Sequence, residues 1–147
     1  MRLTIYTDFS LRSLIFLGLH RDESVTIPDI AAAFDISEHH LRKVVHRLGQ
    51  IGLVETTRGR NGGLRLAKNP EEISVGAVVR LMEEDFAMVQ CFGDGNCRIA
   101  GVCALQGILA EAMSAWFAVL DRYTLADAIK NPKALLRRLG LPSPAAA

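Results

Sequence analysis

The sequence predicts a mostly α chain that carries one small β-hairpin wing and continues into a long helix suited to pairing with another. Three observations predict it. Apolar residues recur at three- and four-residue spacing through the N-terminal third, each run preceded by a capping residue. A turn rich in glycine and arginine, at 58–63, separates two short β-type runs. Further on, Leu105, Leu109, Ala112, Trp116 and Val119 repeat at spacings of four, three, four and three, the heptad rhythm of a helix that packs on a helix.

The first helix is expected over 8–19, with Leu11, Leu14, Ile15 and Leu17 on its apolar side and Thr7 or Asp8 as its cap. After a turn at 21–24, Thr26 caps a short helix over 28–34, with Pro28 in the first turn and Asp29 near the positive end of the helix dipole. Residues 35–37 make a tight connection, and Ser37 caps the next helix, 38–48. There Leu41, Val44, Val45 and Leu48 form one apolar face, and the opposite face is basic. Strands at 53–57 and 64–66 flank the turn Arg58-Gly59-Arg60-Asn61-Gly62-Gly63. Two helices joined by a tight turn and followed by a glycine-tipped hairpin make a winged helix-turn-helix. Ser74 then caps a helix over 75–82, an irregular stretch fills 83–101, and two short helical turns over 124–139 break at Asn131 and Pro132. The expected organisation is a winged head at 1–82, a cysteine loop at 83–103, a pairing helix with C-terminal turns at 104–140, and a flexible tail at 141–147.

A chain of 147 residues suits one such unit. Half its residues are hydrophobic and 22% are charged, which excludes a disordered chain. The apolar run at 14–19 is too short to span a membrane and lacks a signal-peptide cleavage site, so the cytoplasm is the expected compartment and no membrane partner is expected.

The formal net charge of +1 gives no hint of an anionic partner until it is resolved along the chain. Between 37 and 68 stand Arg42, Lys43, Arg47, Arg58, Arg60, Arg65 and Lys68 against only Glu38 and Glu55, a local net of +5 balanced by −4 elsewhere. That segment is the second helix of the pair plus the wing, where DNA binding would need phosphate contacts. Ser37, His39, His40, Arg42 and Lys43 occupy the start of a helix that would enter a major groove. Arg58, Arg60 and Asn61 occupy a wing tip that would reach a minor groove.

All three cysteines fall in one short window, Cys91, Cys97 and Cys103, with five residues in each gap. Zinc sites usually contain a Cys-x-x-Cys knuckle, which is absent here. Gly93, Gly95 and Gly101 would let the loop curl around a larger inorganic cluster, so iron-sulfur ligation is favoured over zinc, with inert thiols as the plain alternative. His20, His39, His40 and His46 all lie in the DNA-binding half, and no nucleotide-binding or metallohydrolase motif occurs, which argues against an enzyme.

Four stretches carry a resemblance: Met1-Arg2-Leu3-Thr4 with Thr7-Asp8-Phe9-Ser10-Leu11-Arg12; the wing with Leu64-Arg65-Leu66; the three cysteines; and Leu120-Asp121-Arg122-Tyr123-Thr124-Leu125-Ala126-Asp127. Together they resemble the Rrf-type family of winged-helix iron-sulfur transcriptional regulators, over residues 1 to about 129. The resemblance implies a homodimeric repressor that binds palindromic double-stranded promoter DNA and carries one 4Fe-4S cluster per subunit, with 2Fe-2S as the alternative. It assigns the thiolate ligands to Cys91, Cys97 and Cys103 and a fourth ligand to Asp8 of the partner subunit. One branch of the family has a histidine three residues after the last cysteine. Gln106 stands there in this chain, which favours the branch that senses nitric oxide and releases DNA when the gas reacts with the cluster. A carboxylate is a harder donor than thiolate, so an Asp-bound iron would be the more readily displaced corner. The alternative is a redox or iron-sulfur-status regulator of the same fold, or one using zinc or a thiol switch. Without the resemblance, Asp8 reads as an ordinary capping acid.

Trp116 and Phe117 are expected in the dimer core, and Glu83, Glu84 and Asp85 in a solvated turn from which Glu83 could approach the cysteine loop. Tyr6 points either to DNA or to the neighbouring helix.

Overall fold

A computed structural model describes residues 2–59, 62–93 and 97–142. Arg60 and Asn61 of the wing, the centre of the cysteine segment, the Cys91 side chain and most of the expected tail lie outside the described residues. Among the described residues the chain forms seven α-helices, two short 3-10 turns and one two-stranded antiparallel sheet.

Helix α1 (Ile5–Leu19) begins earlier than expected, and its cap is Thr4 rather than Thr7 or Asp8. The Thr4 hydroxyl accepts from the Thr7 amide at 3.2 Å, while the Glu83 carboxylate accepts from the Thr4 amide at 2.6 Å and from its hydroxyl at 3.1 Å. Glu83 therefore closes the start of α1. Thr7, Ser10 and Ser13 are fully buried along α1. The Ser10 and Ser13 hydroxyls donate to the carbonyls of Tyr6 and Phe9 at 2.7 and 2.8 Å, so these small polar residues permit close packing without an unpaired group.

Helix α2 (Ile27–Phe34) starts with a reciprocal cap: the Thr26 hydroxyl accepts from the Asp29 amide, and the Asp29 carboxylate accepts from the Thr26 amide at 2.7 Å. Thr26→Ala should lower stability by about 1 kcal/mol in a urea titration, and an unchanged midpoint would show that the cap carries nothing. Asp35, at φ +53°, ends α2 in a left-handed residue and allows the immediate turn into α3 (Glu38–Gln50). Ser37 occupies the cap position of α3 but makes no side-chain cap bond. Leu41, Val44, Val45 and Leu48 are buried as expected, facing a core shared with Leu14, Leu17 and Ile30.

Strands β1 (Val54–Thr57) and β2 (Gly63–Leu66) pair antiparallel, Val54 opposite Leu66 and Thr57 opposite Gly63. Val25 adds a bridge to Leu64, whose amide donates to the Val25 carbonyl at 2.6 Å. Gly63 lies so close to Ser24 and the Val25 carbonyl that any side chain would collide with them.

Helix α4 (Val75–Met82), capped by Ser74, has the bounds that its spacing predicts. Helix α5 (Leu105–Leu120) has no buried residue. Short helices α6 (Leu125–Ala128) and α7 (Pro132–Arg138) follow, and Leu125 and Leu136 are buried. One side of α5 meets its own chain: Phe117 packs edge to face on Phe86 at 4.9 Å. Elsewhere on α5, Leu105, Ile108 and Val119 are 51%, 61% and 42% exposed, an apolar surface of the kind that marks an interface. Among the described residues no helix is long and apolar enough to cross a membrane.

Candidate nucleic-acid interface and candidate metal centre

The apolar face of α3 seats the helix on the core, which forces its other face outward. His39, His40, Arg42, Lys43, His46 and Arg47 are exposed there, and Ser37 is exposed at the start. His40 lies 6.2 Å, ring to ring, from Phe9 of α1, and Arg42 pairs with Glu38 one turn back at 2.8 Å. An exposed pair of that kind is weak and easily exchanged for a phosphate. The Tyr6 hydroxyl donates to the Lys43 carbonyl at 3.0 Å, which settles its direction: Tyr6 pins α1 to α3. Partial burial is the main cause that raises the Tyr6 pKa.

At the wing, Arg58 is exposed beside Gly59, whose φ of +113° turns the chain, and the Gly62 amide donates to the Gly59 carbonyl at 2.9 Å. The expected DNA-reading residues Ser37, His39, His40, Arg42, Lys43 and Arg58 are thus all solvent-facing, while Arg60 and Asn61 lie outside the described residues. If the wing touches a phosphate, Arg58→Ala should lower the slope of log affinity against log salt by about 0.9 and weaken all duplexes alike. An unchanged slope in fluorescence anisotropy titrations would remove Arg58 from the interface.

The cysteine segment is held at its start by Glu83 on Thr4 and by Phe86 on Phe117. Cys91 falls in a 3-10 turn, Gln90–Phe92. Cys97 and Cys103 are free, half-buried thiols. Between them the Ala100 amide donates to the Cys97 carbonyl at 3.0 Å, and Gly101 adopts a φ of +84°. An apolar groove of about 460 Å³, lined by Phe86, Phe92, Met113 and Phe117, runs alongside the segment. Among the described residues, which leave out the Cys91 side chain, no three His, Cys, Asp or Glu side chains converge within the chain, so Asp8, Cys97 and Cys103 do not form such a group by themselves.

Asp8 lies in the first turn of α1 with its carboxylate 45% exposed. Arg12, one turn on, grips both its oxygens, Nε to Oδ1 at 3.1 Å and Nη2 to Oδ2 at 2.8 Å. The Arg12 guanidinium also sits 5.9 Å from the centroid of the Phe34 ring on α2. The part played by Arg12 was legible only as a four-residue spacing, and nothing local marks it as a bridge from Asp8 to α2.

The family model described as "Rrf2: Iron-dependent Transcriptional regulator" matches residues 3–131. The chain is 55% identical to the HTH-type transcriptional regulator NsrR of Geobacillus kaustophilus, across 95% of this chain and 96% of that protein. It is 52% identical to NsrR of Bacillus subtilis, across 95% and 97%. Among solved structures, CymR, the global cysteine regulator of B. subtilis, is similar with a TM-score of 0.74 and 26% identity, covering 88% of this chain and 97% of that one. The IscR of T. potens shares the fold, with a TM-score of 0.73 at 24% identity, covering 89% and 88%. The protein is accordingly a transcriptional regulator and not an enzyme: the chain belongs to the Rrf2 family of iron-dependent transcriptional regulators.

Proposed function

We propose that the protein is a nitric-oxide-sensing repressor, a homodimer that binds palindromic promoter DNA in the cytoplasm. In this reading Cys91, Cys97 and Cys103 of each subunit, with Asp8 of the partner subunit, hold one 4Fe-4S cluster. The observation that carries the reading is the similarity to NsrR-named regulators across nearly the whole length of both chains. The donor set fits the group. Cys97 and Cys103 are free thiols at the two ends of a turn, half shielded from water, and Asp8 offers a half-exposed carboxylate to a second chain.

The cluster, when bound, supplies the iron that nitric oxide attacks. Everything else is the work of this chain. The outward apolar side of α5 pairs the subunits and thereby sets the separation of two α3 helices, which must match half-sites about 34–36 Å apart. Arg12 holds the Asp8 carboxylate on the outer face of α1 through an ion pair of a kind worth only about 0.3–0.5 kcal/mol, so Asp8 can leave it for a stronger partner. Because Arg12 also lies over Phe34, the choice of partner made by Asp8 is felt at the first helix of the helix-turn-helix. Binding of DNA and engagement of Asp8 are then linked, each favouring the other.

Protein purified without oxygen should show iron and acid-labile sulfide in a 4:4 ratio per subunit, against 2:2 for the smaller cluster. It should bind promoter DNA more tightly than either cluster-free or nitric-oxide-treated protein. Equal affinity in all three states would overturn the reading. Asp8→Ala should alter the absorption spectrum and the rate of reaction with nitric oxide; if both match the wild type, Asp8 is no ligand.

A further inference from the structure

Helix α5 is gripped firmly at its C-terminal end. Asp121, its C-terminal cap, receives both terminal nitrogens of Arg80 from the last turn of α4, Nη1 to Oδ1 at 2.6 Å and Nη2 to Oδ2 at 2.8 Å. The same guanidinium lies 4.0 Å from the centroid of the Phe117 ring, one turn earlier on α5. The mutual hydrogen bonds are the main cause that raises the Arg80 pKa and lowers that of Asp121. Gly76 of α4 abuts the Asp121 carboxylate so tightly that a side chain there would collide with it. Just beyond, Ser74 bridges to Thr124, with the Val75 amide donating to the Tyr123 carbonyl at 2.9 Å. The opposite end of α5, which leads in from Cys103, has Leu105 and Ile108 open to solvent.

Arg80 also stands where three elements meet. Its neighbour Leu81 accepts, at its carbonyl, a bond of 3.5 Å from the Arg47 guanidinium of α3. Phe117, under Arg80, carries Phe86 from the segment that leads to Cys91. The outward helix and the approach to the cysteines thus meet at the Arg80 guanidinium, and the next residue along α4 ties the same place to α3 through its carbonyl.

We propose that Arg80 and Asp121 are a positioning pair that fixes the angle between α4 and α5, and so carries the state of the cysteine segment to the spacing of the two α3 helices. The inference rests on the reading of the protein as a cluster-bearing dimer. Exposed ion pairs contribute little stability. A forked arginine that also lies on a ring restricts orientation, and orientation is what a palindromic site measures. Lysine keeps the charge but cannot form the fork.

The test uses the full-length dimer and a palindromic duplex selected from a random pool by the cluster-loaded wild type. The readout is the ratio of affinities with and without the cluster. Arg80→Ala, Asp121→Ala and Arg80→Lys should each cut that ratio at least about fivefold, the low end of ordinary coupling between sites, while dimer mass, cluster absorption and affinity for random DNA stay unchanged. In the cluster-free dimer, a spin-bearing non-natural residue at Gln50 should report a broader distance distribution between subunits in the same variants. Rescue by lysine would reduce the pair to a charge effect and overturn the inference. Should Arg80→Ala fail to fold, Asp121→Asn carries the same expectation and the same refutation. If the wild type itself shows no difference between loaded and cluster-free protein, the functional reading fails. If the wild type discriminates and the variants match it in both ratio and distances, the inference alone fails.

Discussion

Cys97→Ser should empty the protein of iron and sulfide, and with them remove its selective binding to promoter DNA. A serine hydroxyl is not ionised near neutral pH and is a harder donor than thiolate, so it does not replace a cluster ligand. Cys97 is half-buried and outside the hydrophobic core, which separates loss of ligation from loss of fold. The variant should therefore keep its helical circular dichroism and its dimer mass. Its affinity for the promoter should fall to that for random duplex, a loss of at least about 1,000-fold if specific and non-specific binding differ as they commonly do. Cys91→Ser and Cys103→Ser should behave alike, because the three thiolates act as one set. Iron and sulfide content with anaerobic anisotropy titrations checks this. Full cluster occupancy in all three variants would sink the ligand assignment, whereas loss in one or two would identify which cysteines bind.

Leu41→Ala should be the most damaging substitution of a residue that has no part in chemistry. Leu41 is fully buried on α3, in the core that α3 shares with Leu14 and Leu17 of α1. Removing its branched end leaves a cavity that rigid helices cannot close, at a cost of about 2–5 kcal/mol. A domain stabilised by about 5–15 kcal/mol in total then loses a large fraction of its margin. At about 2–4 °C per kcal/mol, the melting temperature should drop by roughly 4–20 °C. Arg42, the next residue, is exposed, and Arg42→Ala should change stability by less than about 0.5 kcal/mol while weakening DNA binding. Urea denaturation of the two variants gives the comparison. A cost below about 1 kcal/mol for Leu41→Ala would show that α3 is not seated by this face.

Helices α2, α3 and α4 were legible because their signals are local. Thr26 with Asp29, the spacing of Leu41, Val44, Val45 and Leu48, and Ser74 before Val75 each act within two turns of the chain. The start of α1 was not: its cap, Thr4 on the Thr7 amide, is local but precedes the apolar run, and Glu83, which holds Thr4, lies 79 residues away. The intrachain packing of Phe117 was hidden for a related reason. A heptad rhythm identifies a helix that pairs, but not which of its other residues its own chain covers, and Phe86 and Arg80 cover that one.

For the candidate site, the basic character of α3 and the wing could be read from charge and spacing, since phosphate contacts need only cations on a face the core leaves free. The cysteine cluster was equally plain, because clustering in sequence places thiols in one loop whatever the fold. The sequence by itself thus determined the types of element, the basic outward face of α3 and the grouping of the cysteines, all properties of short stretches. Tertiary structure alone decided that Asp8 is held by Arg12 over Phe34, that Tyr6 binds the Lys43 carbonyl, and that Arg80 forks Asp121 beneath α5. The last two join residues on different helices, and even Arg12, one turn from Asp8, gains its meaning from Phe34 on α2; such geometry exists only after the core has set the helices against one another.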